Sequence, residues 1–153
     1  EYLATGLECR IVFLDHLSIL LSGLEGDERK MIDTTMTRLR SLVERTGISL
    51  FLVSHLRRSS NDRATHEEGG RVSLSQLRGS HSIAQLSDQV IALERDQQAE
   101  TERDVTTLRI IKNRYSGETG YAGKIKYNLT TSLFTEYETE KDSHVEFNAT
   151  TDF

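Results

Sequence analysis

The sequence predicts an α/β fold in which parallel strands come first and a β-hairpin lies near the end. Three observations predict it. Two buried-looking apolar runs, within residues 10–16 and 48–54, flank about twenty residues of helical periodicity, the pattern of a right-handed βαβ unit. Two later runs, Val105–Asn113 and Ala122–Asn128, flank the turn sequence Gly117-Glu118-Thr119-Gly120 and read as an antiparallel pair. The 153 residues suit one domain, large enough for a real core.

Each element follows from its residues. In Arg10-Ile11-Val12-Phe13-Leu14-Asp15-His16, four consecutive apolar residues predict a strand buried on both faces. A helix is expected over 27–46. Asp27 caps it, Glu28 suits its first turn, and Ile32, Thr35, Met36, Leu39, Leu42 and Val43 recur at helical spacing. Gly47 ends it. Ile48–Ser54 reads as a second buried strand, 56–72 as a polar loop, and 80–87 as a short helix leading into a third strand, Gln89–Arg95. Residues 96–104 read as solvent loop, and 132–136 as a last short strand. There is no internal repeat.

Charge is distributed unevenly. Residues 136–153 hold six acids and one base, a net of -5, which equals the net charge of the whole chain. The body is therefore neutral, which excludes a uniformly basic nucleic-acid binder but leaves room for a local basic patch. The polar, acidic tail reads as disordered. No apolar run approaches the roughly 18 residues of a membrane span. A single cysteine, Cys9, excludes an internal disulfide framework and a cysteine-rich zinc site, and fits a reducing compartment. Glu1-Tyr2-Leu3-Ala4 has neither a signal-peptide core nor an initiator Met, so residue 1 is expected to lie within a longer gene product. The chain has no proline, which nothing in its pattern explains.

Several segments could carry chemistry. Asp15 ends a parallel strand, at the sheet edge where ligands bind in open α/β folds. It reads either as a Walker B magnesium ligand or as a cap on the following turn. His55 ends the next strand at the same edge, as a γ-phosphate sensor or as an ordinary hydrogen-bonded histidine. Arg57, Arg58, Arg63 and Arg78, with the Arg78-Gly79 step, could grip nucleic acid phosphates or stand as solvated loop charges. Segment 101–127 carries six bases against three acids. Its Lys112 and Arg114, one residue apart on a strand, share a side. They could neutralise a phosphoryl transition state or simply face solvent. His66 and His81 have no metal-ligand spacing. Nowhere does G-x-x-x-x-G-K-[ST] occur, so residues 1–153 cannot cradle phosphates in the P-loop manner unaided.

Taken in order, Asp15-His16, Asp27-Glu28-Arg29-Lys30-Met31-Ile32-Asp33, Ser54-His55-Leu56, His66-Glu67-Glu68-Gly69, Leu77-Arg78-Gly79-Ser80, Gln85-Leu86-Ser87-Asp88, Ala92-Leu93-Glu94-Arg95, Gly117-Glu118-Thr119-Gly120 and Thr151-Asp152-Phe153 resemble one family. It is the C-terminal part of the RecA-like P-loop NTPase motor domain of short-tailed bacteriophage primase-helicases, in the DnaB-like superfamily. The resemblance implies a motor portion over 1–135 and an acidic tail over 136–153. It implies a ring hexamer that spends NTP (ATP or dTTP) with Mg²⁺ to travel 5′ to 3′ on single-stranded DNA. By the same resemblance, Asp15 holds the magnesium and His55 senses the γ-phosphate. Arg114 is the arginine finger given to a neighbour, and Lys112 is its companion. Arg95 and Tyr127 flank the base, while Arg57, Arg78 and Gly79 meet DNA. The tail ending in Phe153 docks the replicative DNA polymerase, all in the cytoplasm of the infected host. The loop after His55 is about one residue longer than the family pattern, which leaves Arg58 and Arg63 unassigned. A non-catalytic module that recruits polymerase through the tail is the alternative, and another RecA-like ATPase such as a recombinase a third.

Overall fold

A computed structural model of the chain describes residues 1–22, 26–57, 65–77 and 81–138. The elements run α1 (Tyr2–Thr5), β1 (Ile11–Leu14), α2 (Leu17–Leu21), α3 (Glu28–Thr46), β2 (Ser49–Leu52), a 3₁₀ turn (Leu74–Gln76), α4 (His81–Leu86), β3 (Gln89–Glu94), β4 (Val105–Asn113), β5 (Gly120–Asn128) and β6 (Leu133–Glu136). The two short helices α1 and α2 and the 3₁₀ turn were not expected from sequence. At three to five residues each, they are too short for helical periodicity to register.

The βαβ unit forms as expected. The Asp27 carboxylate accepts the Arg29 and Lys30 amides at 2.9 and 3.4 Å, satisfying donors that the first helical turn leaves open. At the other end Gly47 takes φ 67° and donates to the Val43 carbonyl, a left-handed cap that a β-carbon would strain. β1 and β2 pair in parallel, from Ile11 opposite Ser49 to Leu14 opposite Leu52.

The remaining strands form a separate antiparallel sheet in the order β3-β4-β5-β6. The third strand therefore does not extend the parallel sheet. Among the described residues, β2 and β3 each pair along one edge only. Gly123, at φ 132°, lies opposite Leu108 beside a register shift, where a bulge bends the β4–β5 ribbon.

One core joins these parts. Leu17 and Leu21 of α2, Ile32 and Met36 of α3, Leu77 and Ile83 are buried together, and Leu52, Leu56 and Val90 pack against them. The expectation that β1 and β2 are buried on both faces is not met. Val12, Leu14, Leu50 and Leu52 are partly buried, while Phe13 and Phe51 are 73% and 50% exposed. Those two rings stack with centroids 4.8 Å apart. Ile11, Val53, Ile91 and Leu93 are exposed as well. Runs this apolar suit a two-sided burial that the described helices, packed on the other side, do not supply.

The last strand, β6, pairs with β5 and ends at Glu136, the first residue of the acidic segment. Tyr137 continues the order, its amide donating to the Lys124 carbonyl and its hydroxyl to Glu102. The tail from 139, with Phe153, lies outside the described residues. No described helix is long and apolar enough to cross a membrane.

Candidate nucleotide and DNA site

The parallel pair brings Asp15 and His55 to one edge. Backbone hydrogen bonds from Val53 to Leu14 and from Leu17 to Val53 carry the two chains side by side past the strand ends. There the rings of His16 and His55 meet edge to face at 4.2 Å. The His16 Nδ1 atom is buried without a hydrogen-bond partner among the described residues. Asp15 and His55 are both exposed, and among the described residues neither side chain is held by a hydrogen bond or ion pair. A solvent-facing carboxylate with its oxygens free fits the chemistry of magnesium. That ion keeps several waters and takes one or two protein carboxylates besides substrate phosphates. Among the described residues no group of three or more His, Cys, Asp or Glu could form a closed metal cage.

Arg57 starts the first loop. Its amide donates to the Gln76 carbonyl at 2.7 Å, and Leu56 and Leu77 form an antiparallel bridge. The chain thus leaves this bridge at two neighbouring points, once after Arg57 and once after Leu77. Arg58, Arg63, Arg78 and Gly79 lie outside the described residues. The stretch between these points is tied to the end of β3. Glu94, almost fully buried, accepts the Val72 amide at 2.8 Å and both carboxylate oxygens accept from Arg109 Nε at 3.1 and 3.0 Å. Glu68 bridges to Asp96, and Gln97 donates to the Glu67 carbonyl. This pinning was not anticipated from sequence, because it joins residues 22 and 15 positions apart.

Arg95 and Tyr127 share one end of the antiparallel sheet. Arg95 follows β3 and is exposed, and Tyr127 lies in β5, half-buried against Phe134 with its amide donating to Asp104.

Arg114 and Lys112 share the opposite end, where they converge on the C-terminus of α4. Lys112 Nζ donates to the carbonyls of Ala84, Gln85 and Ser87 at 2.6, 3.1 and 2.8 Å. Those bonds occupy all three ammonium donors and satisfy carbonyls that the helix end leaves open. Burial lowers the Lys112 pKa, the neighbouring Arg114 charge lowers it further, and Asp88 opposes both. Arg114 places Nη1 3.0 Å from Asp88 Oδ1 and Nη2 2.7 Å from the Gln85 carbonyl. Its own amide donates to the Asp88 carbonyl at 2.8 Å. The other Asp88 oxygen accepts Arg40 Nη1 from α3 at 2.7 Å. Asn113 shapes the turn beyond, its Oδ1 accepting the Tyr115 amide and its Nδ2 donating to Ser116 Oγ. Sequence reading put Lys112 and Arg114 on one side, and they do share this seat. It missed Asp88 and Asn113, which bear on the pair only through tertiary contact and turn geometry.

A parallel βαβ unit with a free carboxylate at its strand edge, joined to an antiparallel ribbon that ends in paired cations, defines a RecA-type α/β domain. Its fold is shared with a solved DnaB-like replicative helicase, described with its interactions with primase, at a TM-score of 0.67 and 22% identity over 84% of this chain and 30% of that one. Residues 3–136 match the DnaB-like helicase C terminal domain, and the chain belongs to that family. It is also 46% identical over 131 residues to the DNA helicase/primase of Enterobacteria phage T3, a match that covers 85% of this chain and 23% of that relative's length.

Proposed function

We propose that the chain is the C-terminal portion of the motor of a phage replicative helicase, which couples NTP hydrolysis to 5′ to 3′ movement on single-stranded DNA. The observation that supports this reading is the separation of the residues that the family resemblance assigns to the nucleotide. β4 and β5 are nine residues each, so Arg95 and Tyr127 stand roughly 25 Å from Arg114 along the ribbon. That is too far to hold the two ends of one nucleotide. One subunit then supplies the base contacts of a site and its neighbour supplies the finger, a head-to-tail contact; we infer that it closes into a ring hexamer, as the family resemblance implies.

In that assembly Asp15 would hold a magnesium ion, which when bound neutralises charge on the β- and γ-phosphates. His55, at the same edge, faces the γ-phosphate. Its chain runs directly into Arg57 and the Leu56–Leu77 bridge, so a shift at His55 would be passed to that bridge, beside which the sequence carries the proposed DNA contacts Arg57, Arg78 and Gly79. Arg114 of the adjoining subunit stabilises the charge of the phosphoryl group in flight, with Lys112 beside it. The P-loop is supplied by polypeptide outside residues 1–153. The exposed, stacked rings of Phe13 and Phe51 on the parallel pair support packing against such a segment. The acidic segment 136–153 is a docking tail for the replicative polymerase, with Phe153 as its anchor.

The test is complementation between subunits of the full-length protein. Rings of Asp15→Ala alone or Arg114→Ala alone should lack DNA-stimulated hydrolysis. Mixed rings should regain part of it, because some interfaces then join an intact carboxylate to an intact finger. Full turnover by Arg114→Ala rings would end the shared-site reading. Polymerase binding through the tail with no hydrolysis by the wild type would instead favour a recruitment module.

A further inference from the structure

The Asp88 carboxylate is the meeting point of three elements. It takes Arg40 from α3 on one oxygen and Arg114 from the β4 exit on the other, and it follows α4 at the end capped by Lys112. Three cations within reach of one another would repel if nothing stood between them, and a long arginine left to itself samples many rotamers. Asp88 removes both problems at the position from which Arg114 must act. Its side chain and that of Arg40 are each 28% exposed, whereas that of Arg114 is 43% exposed. The carboxylate is therefore sheltered and the guanidinium it holds still opens outward.

We propose that Asp88 is a positioning residue for Arg114: it seats the guanidinium against the end of α4 so that the unused N–H donors face the neighbouring subunit. This rests on the reading of Arg114 as a finger and deepens it by naming what aims the finger. Asp88 touches no phosphate. It works by geometry and by neutralising the Arg40–Lys112–Arg114 cluster. The helix it follows starts at His81 and is six residues, about 9 Å, long.

The test uses the full-length ring helicase and steady-state hydrolysis on single-stranded DNA. Asp88→Asn should lower kcat on the order of 10–100-fold, the scale of a misplaced catalytic group. KM for nucleotide should stay within about twofold, since the finger acts in the transition state. In an Arg114→Ala background the same change should cost nothing further, because there is no finger left to aim. The proposal falls if Asp88→Asn keeps wild-type kcat while Arg114→Ala abolishes turnover. It falls equally if Asp88→Asn lowers the residual turnover of Arg114→Ala by the same factor as in the wild type, which marks a general packing defect. Full turnover by Arg114→Ala would instead remove the finger reading itself, a distinct failure. Should Asp88→Asn not assemble, Asp88→Glu moves the carboxylate by one methylene and keeps the charge. A lower kcat at unchanged KM then supports the seat, and wild-type kcat overturns it.

Discussion

The two ends of this molecule treat their charged groups in opposite ways. At the edge of β1 and β2, Asp15 and His55 are exposed, and among the described residues neither side chain is held by a hydrogen bond or ion pair, the His55 ring meeting only the His16 ring. At the junction of α4 and β4, Lys112 uses all three donors on carbonyls, and Arg114 is gripped through both Nη atoms and its own amide. A group that receives a metal or a phosphate must keep its lone pairs or ring nitrogens free. A long cation that must strike at a set angle gains from being held before it acts. The contrast separates side chains left open to solvent from side chains held by the protein, as the proposed roles of Asp15 and Arg114 require.

Substitutions sharpen that contrast, because free groups should cost activity alone and held groups should cost stability as well. The largest effect is expected at the proposed finger: Arg114→Ala should lower DNA-stimulated turnover by a factor on the order of 10³–10⁵. Asp15→Asn should also abolish turnover yet shift unfolding free energy by no more than about 0.5 kcal/mol, the scale of surface changes. Chemical denaturation checks this, and a large loss of stability would show that Asp15 has a structural partner after all.

Next in size is Arg109→Met. It strands the buried Glu94 carboxylate, which is 4% exposed, and removal of one member of a buried pair costs about 3–5 kcal/mol. Activity assays on this variant at low temperature should show turnover largely retained, since Arg109 faces the protein. Asp27→Ala should cost about 1 kcal/mol through loss of the α3 cap, with kcat unchanged.

The smallest effect concerns pH. Hydrogen bonds from the Thr65 amide and hydroxyl hold the Glu68 carboxyl below its ordinary value of 4.5. A depressed carboxyl stabilises the folded loop above that value, and the contribution fades as pH falls through the lowered pKa. Protection of the Thr65 amide from exchange should follow the same course, and Glu68→Gln should weaken it at neutral pH. Protection that persists unchanged in acid would break the assignment.

Much of the fold was legible because its signals are local. Asp27 and Gly47 bracket α3 with chemistry that works within four residues, so its ends fall within one residue of expectation. β4 was placed at its true ends, Val105 and Asn113, by β-branched composition and the glycine turn that follows. The burial of β1 and β2 was misjudged. Composition records how apolar a strand is, and not which neighbours are there to cover it. The site divides in the same way. Asp15, His55, Lys112 and Arg114 stand out as candidates by position at strand ends and take proposed roles only from the family resemblance, whereas Asp88 looks like any acid ahead of a strand until α3, α4 and β4 close around it.

By itself the sequence determined the βαβ unit, the hairpin, the absence of a P-loop within 1–153, the neutral body with its acidic tail, and the residue types able to meet phosphate. Each is a property of composition or of neighbours along the chain. Only the tertiary structure decided that the third strand leaves the parallel sheet and that Glu94 ties Val72 to Arg109. It also set Arg95 and Arg114 at opposite ends of one ribbon and closed a single carboxylate around two arginines. These are contacts between segments from 15 to 48 residues apart, set by how helices and sheets pack rather than by any local preference.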